Sequence, residues 1–406
     1  MARWQMFCRA ASRSPIVQYE TFVTLRHIQT FLITLYCLCG QTMVMAEVKP
    51  LPIPSPPMLA AESYLLLDYD TGTVITKKNA DQPQEPASLT KLMTAYIVSF
   101  QLKHGGLSPD EMVQVSEYAH QTKGSRTFIE PGSTVSVRDL MYGLVVQSGN
   151  DASVALAEHI GGSEEGFVSM MNEMAKRLGM ENTNYENSTG LPADNHLTTA
   201  NDLALLARAV IRDHPSDYKL YSVREFTHND ITQKNRNTLL LRDPSVDGMK
   251  TGHTKSAGYC LVASAKRGDM RLISILLGAR NEQLRSTESL KALNYGFRFY
   301  ETVKIADAGK KLGDIRIWGG RDENVPMGVA TEHHLTLKSG QVDALERDYR
   351  VTSSLVAPIA KGQKLGMVSF RLGDQILAEL PLVAMEPMQQ GNFFQRTSDS
   401  IRRMLK

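Results

Sequence analysis

Strand patterns bracket a long helical block in this chain, and that arrangement limits the folds open to it. Ser63-Tyr64-Leu65-Leu66-Leu67-Asp68 reads as a strand, Asp70-Thr71-Gly72 as a turn, and Thr73-Val74-Ile75-Thr76 as the returning strand. Some 180 residues later, Ser256 to Ala265 and Arg271 to Gly278 form two more apolar strands, joined by Lys266-Arg267-Gly268-Asp269. Between them the apolar spacing is mainly helical, most clearly from Val137 to Leu178. Strands at both ends of one domain with helices between them imply an α/β fold: an antiparallel sheet whose edges come from the two ends of the domain.

The helical block opens on Pro86-Ala87-Ser88-Leu89-Thr90-Lys91-Leu92-Met93. Leu89, Leu92, Met93, Tyr96, Ile97 and Phe100 make one apolar stripe, and no Gly or Pro interrupts it before Gly105. Ser88 and Lys91 are three apart, so they share a helix face. A serine hydroxyl is a weak nucleophile that needs a base in hydrogen-bond reach. A lysine serves if burial or nearby positive charge lowers its pKa. The tetrad alone is weak, since such a pair arises roughly once or twice by chance in a chain this long. Ser216-Asp217-Tyr218-Lys219 is the decoy here, better read as a cap or turn in a polar stretch.

Two further clusters distinguish the first tetrad. Ser148-Gly149-Asn150 precedes a second apolar helix, where Asn150 or Asp151 fits the cap. Lys250-Thr251-Gly252 comes just before the strand that starts near Ser256, and alone would read as a strand-entry turn. S-x-x-K, then a Ser-x-Asn cluster, then K-T-G, in that order, is the motif set of penicillin-binding proteins and class A β-lactamases.

On these motifs, with Asp247-Gly248-Met249-Lys250-Thr251-Gly252-His253-Thr254 and Tyr295-Gly296-Phe297-Arg298-Phe299-Tyr300-Glu301-Thr302-Val303, the chain resembles the serine-type D-alanyl-D-alanine carboxypeptidases. These are low-molecular-mass penicillin-binding proteins of peptidase family S11. The resemblance spans nearly the whole chain. It implies a penicillin-binding-protein/β-lactamase-like transpeptidase fold over residues 47–305. It also implies removal of the terminal D-alanine from peptidoglycan stem pentapeptides through an acyl-enzyme, with β-lactams as covalent inhibitors.

Carried across, the family's roles make Ser88 the nucleophile and Lys91 its base. Ser148 and Asn150 relay protons and hold the substrate amide. Lys250 supplies positive charge that depresses the Lys91 pKa and attracts the substrate carboxylate. Thr251 and Arg285 bind that carboxylate, although Arg285 reads equally well as a solvated helix residue. The backbone N–H groups of Ser88 and His253 form the oxyanion hole, and Gly252 lets backbone pass close to a ligand. Ser148-Gly149-Asn150 has Gly where class A β-lactamases have Asp, and no Glu-x-x-Leu-Asn stretch occurs. β-Lactamase, transpeptidase and a non-catalytic peptidoglycan-binding scaffold remain the rival readings.

The first 46 residues read as a signal peptide. Arg3, Arg9, Arg13 and Arg26 face only Glu20, an apolar run covers Phe31 to Cys39, and Val44-Met45-Ala46 suits cleavage. The run is shorter than the ~18 residues of a membrane span. Three of the four cysteines fall in this leader, so the mature chain keeps only Cys260 and has no internal disulfide. Cys260 reads as a small buried hydrophobe. Net charge is +2, without a basic stripe carrying interleaved aromatics, which excludes nucleic acid as the natural partner. No cofactor or metal is expected, and the neighbours His333 and His334 point to opposite faces of a strand.

Residues 306–388 show short alternating runs between turn signals at Ser339-Gly340, Lys361-Gly362 and Gly373-Asp374, as in a small all-β sandwich. From 389 to 406 the pattern is an amphipathic helix. Phe393, Phe394, Ile401, Met404 and Leu405 share one side, and Arg396, Arg402, Arg403 and Lys406 lie among polar neighbours. Such a helix reads as an interfacial anchor, or as a helix docked on its own domain. The resemblance favours the anchor, on the outer face of the cytoplasmic membrane of a periplasmic protein.

Overall fold

The computed structural model describes residues 53–352 and 355–405. The expected leader, 1–46, lies outside them. The central sheet has five antiparallel strands in the order β2-β1-β5-β4-β3: β1 (Ser63–Asp68), β2 (Val74–Lys78), β3 (Val246–Thr254), β4 (Gly258–Arg267) and β5 (Met270–Ala279). Its edges do come from the two ends of the domain.

Every residue of β1 is buried, because both faces of the sheet are covered. Leu65 and Leu67 point one way, into a core shared with Ile273, Ile275, Val262 and the helical block. Tyr64 and Leu66 point the other way, toward Leu261, Leu272, Leu276 and Leu293. The period-two alternation thus feeds two cores.

The helices that matter for the site are α1 (Lys91–Lys103), α2 (Asn150–Gly161), α3 (Glu164–Arg177), α4 (Ala200–Asp213) and α5 (Glu282–Phe299). Three start on a side-chain cap: Ser163 accepts from Gly166 N, Thr199 from Asp202 N and Asn281 from Leu284 N. Helix α2 differs from expectation. Its N-cap is Gly149, which has no side chain to cap with, and Asn150 and Asp151 bond elsewhere. Helix α1 is buried almost all round, so its apolar residues exceed the single expected stripe.

Lys250-Thr251-Gly252 lies inside β3, not in a turn before a strand. Lys250 pairs with Val262, Thr251 with Leu261, and Gly252 with Cys260. The decoy serine, Ser216, precedes a 3₁₀ turn over Asp217–Ser222, as its polar surroundings imply.

After α5 the chain enters a β domain. A five-stranded sheet runs β7-β8-β12-β11-β10, formed by β7 (Lys311–Arg316), β8 (Asn324–Gly328), β10 (Leu345–Val351), β11 (Lys364–Leu372) and β12 (Gln375–Ala384). A two-stranded sheet of β6 (Tyr300–Ala306) and β9 (His333–Lys338) completes it. Ile317, Val325, Leu365, Val368, Phe370 and Leu382 fill its core. Strand β6 straddles the expected boundary at 305/306. The last helix, α6 (Phe393–Met404), begins on a capping box between Asn392 and Gln395. Among the described residues no helix is long and apolar enough to cross a membrane.

Candidate active site

Ser88 sits in a 3₁₀ turn, Ala87–Thr90, at the head of α1. Ala87 adopts a left-handed φ of 46° to present it. The turn is backed by Gly190, also left-handed at φ +86°, where a Cβ atom would lie 1.8 Å from the Ala87 carbonyl oxygen. Gly190→Ala should therefore displace the nucleophile turn. We expect a loss of at least about 2 kcal/mol of stability and acylation slowed about 100-fold. Thermal unfolding and the rate of benzylpenicillin labelling check the two effects; a variant with wild-type values for both would refute this packing.

Lys91 is 1% exposed and its Nζ has three partners. It lies 3.2 Å from Ser88 Oγ, 2.6 Å from Asn150 Oδ1 and 2.6 Å from the Thr189 carbonyl oxygen. Burial brings its pKa down to about 7, helped by Arg236 and opposed by the Asp151 and Glu164 carboxylates. Lys250, also fully buried, is held well below the ordinary lysine range, first by burial and then by Lys91, Arg236 and Arg285. Its Nζ donates to the Thr251 carbonyl, 2.9 Å away. Desolvation leads at Lys91, because it has no solvent contact through which to hold its charge, and the repulsion between the two lysines falls on Lys250.

Ser148 follows a π-helical turn over Gly143–Gln147 and adopts a left-handed φ of 65°. Its hydroxyl is buried and has no hydrogen-bond partner among the described residues. Asn150 is held at both ends of its amide, with Oδ1 on Lys91 and Nδ2 donating to the Lys123 carbonyl. Beside it the buried Asp151 carboxylate accepts from the backbone N–H groups of Thr127 and Phe128, at 2.8–2.9 Å, and of Ala152. That explains the missing cap. These two side chains tie the 123–129 loop to α2 across more than twenty residues.

Strand β3 forms the opposite wall. A Cβ atom on Gly252 would meet the Pro86 carbonyl oxygen at 3.0 Å and Ala87 Cβ at 3.3 Å. The close approach is to the nucleophile turn itself, not only to whatever binds beside it. His253 is exposed; its Nδ1 lies 3.0 Å from the Gly258 carbonyl and its ring stacks 3.9 Å from that of Tyr259. Thr251 is buried.

Arg285, on α5, is 5% exposed, which removes the reading of a solvated helix residue. One guanidinium nitrogen pairs with Glu282 at 2.8 Å, and Nε is buried without a partner among the described residues. Its charge is felt at Lys250 and at Cys260, whose thiol burial pushes up to about 11. Arg236 escaped the sequence reading. It is exposed, donates to the Gln147 carbonyl at 3.1 Å, and acts on Lys91, Lys250 and Arg285 alike. No motif announces it, since it lies in a polar stretch ahead of β3.

The three motifs therefore converge from separate elements. Lysine, serine hydroxyl and asparagine amide meet in one hydrogen-bonded group, and the charges of Lys91, Arg236 and Arg285 act together on the second lysine, Lys250. Such a site can deprotonate a serine and hold an anionic substrate.

Comparison with known proteins agrees. The family model of D-alanyl-D-alanine carboxypeptidase matches residues 52–281, and that of the penicillin-binding protein 5 C-terminal domain matches 300–390. The D-alanyl-D-alanine carboxypeptidase DacA of Escherichia coli K12 is 42% identical over 360 residues, covering 87% of this chain and 89% of its own length. The crystal structure of penicillin-binding protein 5 from Haemophilus influenzae superposes with a TM-score of 0.78 at 41% identity, covering 83% of this chain and all of that one. Penicillin-binding protein D2 of Listeria monocytogenes, solved in a cefotaxime-bound form, is 32% identical with a TM-score of 0.56, over 60% of this chain and 100% of that one. With its motifs, its fold and both of its domains matched, the chain belongs to the D-alanyl-D-alanine carboxypeptidase family of serine hydrolases.

Proposed function

We propose that the chain trims the terminal D-alanine from peptidoglycan stem pentapeptides through an acyl-enzyme on Ser88. The observation that carries this reading is the placement of Lys91 Nζ. A neutral amine has two N–H bonds and one lone pair. The Asn150 and Thr189 oxygens take the two N–H bonds, which leaves the lone pair for the Ser88 hydroxyl.

The steps follow from that placement. Lys91 takes the Ser88 proton as Oγ attacks the carbonyl carbon of the penultimate D-alanine. The Ser88 and His253 N–H groups hold the developing oxyanion. The proton returns through the free Ser148 hydroxyl to the leaving amine as the C–N bond breaks, and D-alanine departs. Water then cleaves the ester. Lys250, Thr251, Arg285 and Arg236 hold the terminal carboxylate. Gly252 keeps β3 against the nucleophile turn. The test is release of D-alanine from a stem pentapeptide by the purified protein. A pentapeptide left whole would remove the enzymatic reading and leave the scaffold.

The same reading makes β-lactams covalent inhibitors, and makes the protein exported, periplasmic and bound to the outer face of the inner membrane through 389–406. Support for the anchor comes from the way α6 meets its domain. Asp399, on its polar side, accepts from Arg316 at 3.2 Å and from Gly319 N at 2.9 Å. Phe394 is 82% exposed and Met404 86%, with Phe393, Ile401 and Leu405 also exposed. A helix docked for its own domain's sake would bury that side. Deleting 392–406 should release the mature protein from anionic vesicles and leave pentapeptide cleavage in solution nearly intact. Co-sedimentation of the truncated protein at the full-length level would place the anchor elsewhere.

A further inference from the structure

A buried carboxylate stands one layer behind the lysine. Glu164 opens α3, and its Oε1 accepts from Ser188 N at 2.8 Å and from the Ser188 hydroxyl at 2.7 Å. Its Oε2 accepts from the Tyr118 hydroxyl at 2.8 Å. The Ser188 carbonyl is held in turn by Thr94 Oγ1 at 2.8 Å, from α1, and by Ser153 Oγ at 2.7 Å, from α2. Ser188 is thus fixed at its N–H, its hydroxyl and its carbonyl. The next carbonyl along the chain is Thr189 O, which accepts from Lys91 Nζ. Asn187 Oδ1 steadies the same turn by accepting from Thr189 N and Gly190 N.

We propose that Glu164 is a positioning residue for the acylation base: through Ser188 it fixes the Thr189 carbonyl that aims Lys91, and it places a negative charge behind the amine. The proposal rests on Ser88 and Lys91 being nucleophile and base.

Several charged or titratable groups bear on Lys91. Asp151 and Glu164 favour its protonated form, and Arg236 opposes it. Lys250, on β3, is coupled to it as a second cation. His196 is kept neutral, its pKa pushed down to about 4 by burial and by Lys91. Its Nδ1 accepts from Glu186 N, so Nε2–H donates to Thr90 Oγ1, and it contributes no charge at neutral pH. Glu164 differs from Asp151 in what else it does. Asp151 clamps the 123–129 loop, whereas Glu164 holds the segment that touches the lysine amine directly.

The sign follows. Acylation needs neutral Lys91, so its rate should fall as pH drops through about 7. Glu164→Gln keeps an acceptor for Ser188 and removes the charge that favours protonation. Its acid limb should move to lower pH, by up to about one unit. Glu164→Ala leaves the Ser188 N–H and hydroxyl without an acceptor, so the plateau rate should fall about tenfold or more. Glu164→Asp keeps the charge but shortens the reach, so its limb should stay near the wild-type pH while the plateau falls.

The experiment is the second-order rate of benzylpenicillin acylation across pH for the four full mature proteins, followed by intact mass. A limb for Glu164→Gln that coincides with wild type, or moves to higher pH, overturns the proposal. So does an unchanged plateau for Glu164→Ala. Wild-type protein that is never acylated at Ser88 would instead bring down the reading of the site itself.

Discussion

Ser88→Ala is expected to abolish both penicillin labelling and pentapeptide cleavage, by at least about four orders of magnitude. No other hydroxyl can take its place. Two fixed acceptors, Asn150 Oδ1 and Thr189 O, take the Lys91 N–H bonds, and among the described residues Ser88 Oγ is the hydroxyl in hydrogen-bond reach of Nζ. Ser148 Oγ is the other serine hydroxyl of the motif set, but it has no hydrogen-bond partner among the described residues and so no base of its own. The decoy, Ser216, lies at the head of a turn that packs under β3 through Tyr218 and Tyr221. The fold should survive the change, since Ser88 is only half-buried and gives up one 3.2 Å contact. Fluorescent penicillin labelling and D-alanine release, each beside wild type, measure the two losses. Undiminished labelling of the variant, or label mapped to Ser216, would contradict the assignment.

Much of the site was legible because its chemistry is packed into short motifs. Ser88 and Lys91 lie one helical turn apart, and the Ser148 and Lys250 clusters carry recognisable triplets. What holds those groups in place was not legible. Asn150 or Asp151 read as a helix cap because caps are what such residues before an apolar helix usually supply. The Asp151 carboxylate instead serves the backbone of 127–129, a contact with no local pattern. Glu164 belongs to no motif, and nothing nearby in sequence points from it to Ser188. Strand β3 was taken for a turn around Lys250-Thr251-Gly252 because Gly248 and Gly252 weaken the strand signal. In the fold those glycines serve close approach: a Cβ at Gly248 would meet the Tyr218 hydroxyl at 2.6 Å, and Gly252 abuts the nucleophile turn. Arg285 and Arg236 sit on different elements, and only the fold brings both to the lysines. At the level of the whole chain, the alternation in β1 was visible, but its service to two cores needed the sheet order to appear.

The second large effect concerns what becomes of the acyl-enzyme. A stem peptide and a β-lactam both present an amide carbonyl near a carboxylate, so both should acylate Ser88. With the peptide, D-alanine diffuses away and water can enter where it sat. With the β-lactam, the leaving amine stays tethered to the acyl group and blocks that approach. A β-lactamase answers with a dedicated carboxylate that activates a water. Here the buried acids near Lys91 are engaged: Asp151 with the 127–129 backbone, Glu164 with Ser188 and Tyr118. Neither carboxylate is left to act as that base. The peptide should therefore turn over many times while benzylpenicillin leaves one long-lived adduct per protein.

The most direct measurement follows free D-alanine, cross-linked dimer and intact benzylpenicillin on a single preparation of the mature protein, by mass spectrometry over time. D-alanine should accumulate far beyond the protein concentration, dimer should stay minor, and benzylpenicillin loss should stop at one equivalent, on Ser88. Continued catalytic loss of benzylpenicillin, or dimer outrunning D-alanine, would contradict the account.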